Sequence, residues 1–166
     1  MKLMLKIYLA GPDVFEHNAI ERGAALKELC RQYGFEGCFP LDNTVVFDGT
    51  PSNIAKAIRE ANIALLASCD IVLANLNPFR GIEPDSGTVY EVGYGAALGK
   101  KVYGYAADRR PMIERVRDAQ KLAADATVCR DGMSIEDFGL SHNLMMLDVV
   151  IADDAKEALA YIRSVY

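Results

Sequence analysis

Three consecutive segments decide the fold: Asp70-Ile-Val-Leu-Ala-Asn-Leu76, then Asp85-Ser-Gly-Thr-Val-Tyr-Glu91-Val-Gly-Tyr-Gly-Ala-Ala-Leu-Gly99, then Lys101-Val-Tyr-Gly-Tyr-Ala106. The first has the composition of a buried strand and the third that of another. The middle segment reads as a helix capped by Asp85, whose carboxylate can accept from the backbone N–H of Gly87 or Thr88. Strand, helix, strand in that order implies a right-handed crossover between parallel strands. From Ser86 to Gly99 every residue is apolar, small, hydroxylated or Tyr except Glu91. An isolated Glu ordinarily lies on a solvated stripe. On so apolar a helix its burial is expensive, and such carboxylates are kept where chemistry needs one out of bulk water.

The same alternation continues outward. Leu3–Leu9 is a β-rich run ending in the turn signal Ala10-Gly11-Pro12, and Asn18–Tyr33 has helical spacing closed by Gly34. Gly37–Leu41 reads as a weak second strand, and Ser52–Ala67 as a helix with Ile54, Ile58, Ala61 and Leu65 on one face. A polar helix is expected over Arg110–Ala119, a fifth strand over Asp148–Ala152 and a closing helix over Asp154–Val165. The fold class is therefore α/β: a doubly wound, five-stranded, mostly parallel sheet with helices on both faces. Residues 1–166 read as one domain, without repeat or linker.

Composition excludes several partners. A formal net charge of −5, with Lys and Arg scattered, does not suit a phosphate-backbone binder, so no nucleic acid is expected. No apolar run has the length of a membrane span, and the N-terminus does not read as a signal peptide. The four cysteines show no C-x-x-C spacing and read as free thiols, which points to a cytoplasmic location. With only His17 and His142, and no Cys/His cluster, no metal is expected.

In sheets of this kind ligands bind beyond the carboxyl ends of the strands. The corresponding segments are Gly11–Phe15, Asn75–Asp85 and Ala107–Arg110, and the second leads directly into the helix bearing Glu91. Asp85 and Glu91, nearly two turns apart, form a carboxylate pair suited to glycosidic-bond chemistry, one attacking the anomeric carbon and the other handling a proton. Asp85 is equally well read as a pure cap, and the two roles are compatible. Tyr8 either fills the core or turns its hydroxyl into the crevice. Phe15 either stacks on a flat ligand or plugs its loop, and Asn143 reads as a cap of a short helix. Ala10-Gly11-Pro12-Asp13 is neither a dinucleotide fingerprint nor a P-loop, and no G-x-S-x-G elbow is present.

These residues resemble the nucleoside 2-deoxyribosyltransferases. The likeness runs through Ile-Tyr8-Leu-Ala-Gly-Pro, Pro-Leu-Asp42-Asn43, Cys69-Asp70-Ile-Val, Pro-Phe-Arg80-Gly-x-Glu83-Pro-Asp85-Ser-Gly-Thr-x-x-Glu91-Val-Gly and Asn143-Leu-Met. The resemblance implies a flavodoxin-like fold and a retaining, ping-pong exchange of nucleobases on 2′-deoxyribonucleosides, with a role in nucleoside salvage. It implies Glu91 as the nucleophile that holds the sugar as an ester, Tyr8 as its orienting hydroxyl, and Asp85 as the base contact and candidate proton donor. Phe15, Gly11, Gly87 and Asn62 are then the substrate contacts. Asn143 is the asparagine lent to a neighbouring site, which makes the protein a homo-oligomer, dimer or hexamer. No cofactor is implied. Asn62 stands where some members carry an aspartate, and an amide cannot donate a proton as an acid does. The region after Asp148 is longer than in familiar bacterial members, so no role passes to the Tyr166 carboxylate. The alternatives are hydrolysis of nucleosides or nucleoside 5′-monophosphates, and a binding-only nucleotide domain. The Pro12-Asp13-Val14-Phe15 segment argues against a phosphorylated substrate.

Overall fold

The structure, a computed structural model, describes residues 4–44 and 49–166. Its order is β1 (Lys6–Ala10), α1 (Ala19–Gln32), β2 (Glu36–Cys38), α2 (Pro51–Ser68), β3 (Ile71–Asn75), α3 (Ser86–Ala97), β4 (Lys101–Tyr105), α4 (Met112–Gln120), β5 (Val150–Ala152) and α5 (Ala155–Val165). Short 3-10 turns cover Pro12–Phe15, Pro40–Asp42 and Leu144–Met146. All neighbouring strands pair in parallel, in the order β2-β1-β3-β4-β5. This is the doubly wound order, and its switch point lies between β1 and β3.

The alternation of side chains along β1 and β3 builds two cores. Ile7, Leu9, Ile71 and Leu73 face α1 and α5, where Leu26, Cys30, Leu159 and Ile162 complete the layer. Tyr8, Ala10, Val72 and Ala74 face the opposite side with Leu66 of α2 and Val92 of α3. The starts of α2, α3 and α5 are set by side chains at their caps. Thr50 accepts from Asn53 N at 3.3 Å, with Pro51 in the first turn, and Asp154 accepts from Glu157 N at 2.8 Å.

Helix α3 lies unusually close to the sheet. A Cβ on Gly95 would stand 2.7 Å from Val72 Cγ2, so only glycine permits that approach. The neighbouring glycines differ: Gly93 faces open space, and Gly99 follows the helix at a φ of +74°.

The sequence-based boundaries shift where backbone chemistry intervenes. The second strand stops at Cys38 because Pro40 has no N–H to give the ladder, and Pro40–Asp42 turns instead. The polar helix starts at Met112, after Pro111, rather than at Arg110. Leu3, expected to open the first strand, lies outside the described residues. All four cysteines are free. Among the described residues no helix is long and apolar enough to cross a membrane.

Candidate active site

The three strand-end loops singled out by the sequence are tied together by side chains. Asn75, ending β3, donates to Asp13 Oδ2 at 2.9 Å, and Arg22 of α1 donates to Asp13 Oδ1 at 2.8 Å. Asn75 Oδ1 accepts from the Asn77 amide at 2.7 Å, and Asn77 Oδ1 accepts from Ala107 N at 2.9 Å. Gly11 is where this network tolerates no side chain, because a Cβ would meet Asp13 Oδ2 at 2.5 Å and Asn75 Cβ at 2.8 Å. Asp13 is thus a scaffold anchor, 2% exposed and facing away from solvent.

On the α2/α3 side of the sheet a cleft of about 440 Å³ opens between two helical stripes. Helix α2 contributes Ala55, Ile58, Arg59, Asn62, Ile63 and Leu66, and α3 contributes Gly87, Tyr90, Glu91 and Tyr94. Both sets follow the i, i+3, i+4, i+7 rule for one face of a helix. Beneath this floor Tyr8, fully buried in β1, donates from its hydroxyl to Glu91 Oε1 at 2.6 Å. Its phenol is held protonated by burial and then by the adjacent Glu91 charge. The Glu91 carboxyl is pushed up to about 7, chiefly by burial. The Tyr8 hydrogen bond opposes that shift, and the charge of Asp85 adds to it.

Asp85 caps α3 as its position in the sequence suggests, and Thr88 is the partner. Its Oδ2 accepts from Thr88 N at 2.8 Å and from the Thr88 hydroxyl at 2.9 Å. Asn62 presents its amide to the cleft and accepts at Oδ1 from Asn43 Nδ2 at 3.1 Å.

The structure therefore brings Glu91, Gly87 and Asn62 to one cleft, with Tyr8 buried beneath it against Glu91 and Asp85 close enough to influence Glu91. It does not bring Gly11, Phe15 or Asn143 to the lining of that cleft within this chain, and Gly11 lies instead against Asp13 and Asn75. Phe15 stacks on Phe79 at 5.2 Å, and the Arg80 guanidinium covers both rings at 5.4 and 4.6 Å. Asn143 accepts from Met145 N at 3.0 Å and donates to Glu136 at 2.8 Å. It lies with Ser86 and Val89 in a separate depression of about 280 Å³ on another flank of α3. Among the described residues no group of three His, Cys, Asp or Glu side chains is placed to hold a metal ion.

Sequence reading missed Arg59, Tyr90 and Tyr94, and of Thr88 it named the backbone N–H but not the hydroxyl. Tyr90 and Tyr94 stack at 6.0 Å, and Arg59 donates to the Tyr90 hydroxyl at 3.0 Å. Helical spacing from Gly87, Glu91 and Asn62 points to these three, and the N3 position of the cap points to Thr88.

The profile of the nucleoside 2-deoxyribosyltransferase family matches residues 7–145. The chain belongs to that family. It is 36% identical over 155 residues to an uncharacterised protein of Schizosaccharomyces pombe, covering 84% of this chain and 74% of that one. The 2-deoxyribosyltransferase of Leishmania mexicana superposes with a TM-score of 0.75 at 36% identity, covering 96% of this chain and 97% of that one. A conserved protein of Enterococcus faecalis shares the fold at 22% identity and a TM-score of 0.63, covering 99% and 100% of the two chains. So does the Bacillus psychrosaccharolyticus 2-deoxyribosyltransferase at 19% identity and a TM-score of 0.59, covering 94% and 91%.

Proposed function

We propose that this protein exchanges nucleobases on 2′-deoxyribonucleosides through a 2-deoxyribosyl ester on Glu91. The observation that carries this reading is the Tyr8–Glu91 hydrogen bond on the wall of an open cleft, where the carboxylate has a donor to orient it and, among the described residues, no cation to neutralise it. An oxygen of Glu91 attacks C1′ from the face opposite the base. The C1′–N bond breaks, its electron pair leaves with the base nitrogen, and Asp85 supplies the proton the departing base requires. A second base then attacks C1′ through its own nitrogen and gives up its N–H proton to Asp85, while the ester bond returns its electrons to Glu91. Two inversions give net retention.

Tyr8 holds the carboxylate so that one oxygen is fixed and the other is free to react. The apolar stripe of α2 and the Tyr90–Tyr94 pair limit water at the ester, which favours transfer over hydrolysis. Asn62, fixed by Asn43, offers its remaining amide protons to a base edge without itself being an acid. No cofactor takes part in this scheme.

The chain also presents Leu144, Met145 and Leu147 to solvent, with Met145 80% exposed. An apolar knob beside Asn143 favours a homo-oligomer in which that asparagine reaches a neighbouring site. A cytoplasmic role in nucleoside salvage fits the free cysteines.

Chromatography of the purified protein with 2′-deoxyinosine, with and without free adenine and beside an inosine control, tests the reading. The expected result is 2′-deoxyadenosine only when adenine is present, and no reaction of inosine. Hypoxanthine released at one rate with or without adenine would identify a hydrolase instead.

A further inference from the structure

Arg115 of α4 is 5% exposed, yet its guanidinium contacts no carboxylate among the described residues. It spends its donors on two backbone carbonyls from distant parts of the chain: Nη2 on Ile82 O at 2.6 Å, and Nη1 on Ser141 O at 2.5 Å. Ile82 lies three residues before Asp85, and Ser141 two residues before Asn143. A buried cation answered only by carbonyls is an expensive way to hold a loop, and apolar packing would be cheaper. What the guanidinium supplies is geometry, because its planar fork fixes two acceptors relative to each other.

The surrounding contacts reinforce the same two segments. Met112 N donates to Leu140 O at 2.7 Å, and His142 Nε2 meets Leu76 O at 2.9 Å. Burial holds the His142 imidazole below its usual pKa against the opposing effect of its hydrogen bond with Leu76 O, and the Arg115 charge adds to the lowering. The loop before Asp85 has a single internal backbone bond, Phe79 N to Glu83 O at 2.9 Å, and Pro84 has no N–H to offer. Arg115 is its tie to α4.

We propose that Arg115 is a positioning residue that sets the Asp85 loop and the Asn143 segment in register with each other. This rests on the transferase reading for its effect on catalysis. If Asn143 serves a neighbouring site, one buried guanidinium links the proton donor of its own site to the sugar contact of the next.

The test compares Arg115→Ala and Arg115→Lys with wild type by amide hydrogen exchange, melting temperature and steady-state transfer. In Arg115→Ala, residues 82–88 and 141–147 should exchange at least tenfold faster together, while α5 is unchanged. Transfer kcat/KM should fall 10- to 100-fold and be partly restored by added methylguanidinium. Lysine reaches only one of the two carbonyls, so Arg115→Lys should melt near wild type, release one segment and lose activity despite keeping the charge. Where Arg115→Ala does not fold, Arg115→Lys decides alone. Unchanged exchange in both segments, or an activity loss that only tracks loss of folded protein, would overturn the proposal. The exchange readout needs no turnover. A wild type without transferase activity would therefore remove the functional reading and leave this inference to be judged on its own data.

Discussion

Two carboxylates near the carboxyl end of β1, Asp13 buried and Glu91 partly buried, have opposite fates. Asp13 has a guanidinium at 2.8 Å and an amide donor at 2.9 Å. Glu91 has a phenol at 2.6 Å and, among the described residues, no cation. The first charge is answered, and its effect is to join β1, α1 and β3 into one frame. The second is only partly answered, so its carboxyl is held near 7, well above the ordinary range of Glu. The lesson is that burial alone does not mark a reactive group. A buried acid with a full set of partners is scaffold, and one left short of a counter-charge beside a cleft is available for chemistry.

The largest effect should come from removing each carboxylate in turn. Glu91→Gln keeps the size and an acceptor for Tyr8 but removes the nucleophile, and transfer should drop by at least ~10³-fold. The same variant should gain stability. Folded Glu91 holds its proton up to about 7, whereas the unfolded chain releases it near the usual Glu value. Between those values stability therefore falls as pH rises, and above about 7 the full penalty is present. Chemical denaturation at pH 8 should show Glu91→Gln more stable by on the order of 2–3 kcal/mol, with the difference vanishing toward pH 4. Equal stability at pH 8 would break the comparison.

Asp13→Ala should behave in the opposite way. It strands the Arg22 guanidinium and the Asn75 amide, and should lower stability by about 3 kcal/mol, read as a lower melting temperature with little change in the kcat of the protein that remains folded. Tyr8→Phe comes next. Loss of a hydrogen bond to a charged group is worth about 1.5–3 kcal/mol, so kcat/KM should fall roughly 10- to 100-fold. Because that bond lowers the Glu91 pKa, the acidic limb of the pH–rate profile should move to higher pH. The smallest effect is expected from Asn62→Asp, which places an ionisable group against Asn43 without touching the Tyr8–Glu91 pair. It should alter the ratio of rates with different acceptor bases, measured by competition between adenine and cytosine, and leave the melting temperature nearly unchanged.

Much of this fold is legible because its signals are local. Apolar strands and the Asp85 cap lie within segments that carry their own periodicity. The lone Glu91 on an apolar helix was visible in the same way. The cleft was not. Ile54, Ile58, Ala61 and Leu65 on α2 have the spacing of a core-facing stripe, yet the fully buried residue of that helix is Leu66, Leu65 packs only partly against the core, and Ile58 lines the cleft. Periodicity says that a face is apolar, not what it faces. The scaffold role of Asp13 was equally hidden, since its partner Asn75 is 62 residues away and no spacing rule connects them. Arg115 is hidden for the same reason, because both of its acceptors are backbone atoms of distant loops.

The most direct test of the central claim is peptide mass spectrometry after an acid quench of the protein incubated with 2′-deoxyinosine and no acceptor base. The account predicts one 2-deoxyribosyl adduct on the peptide containing Glu91, absent from Glu91→Gln and discharged when adenine is added before the quench. An adduct on another peptide, or Glu91→Gln that still exchanges bases at the wild-type rate, would contradict it.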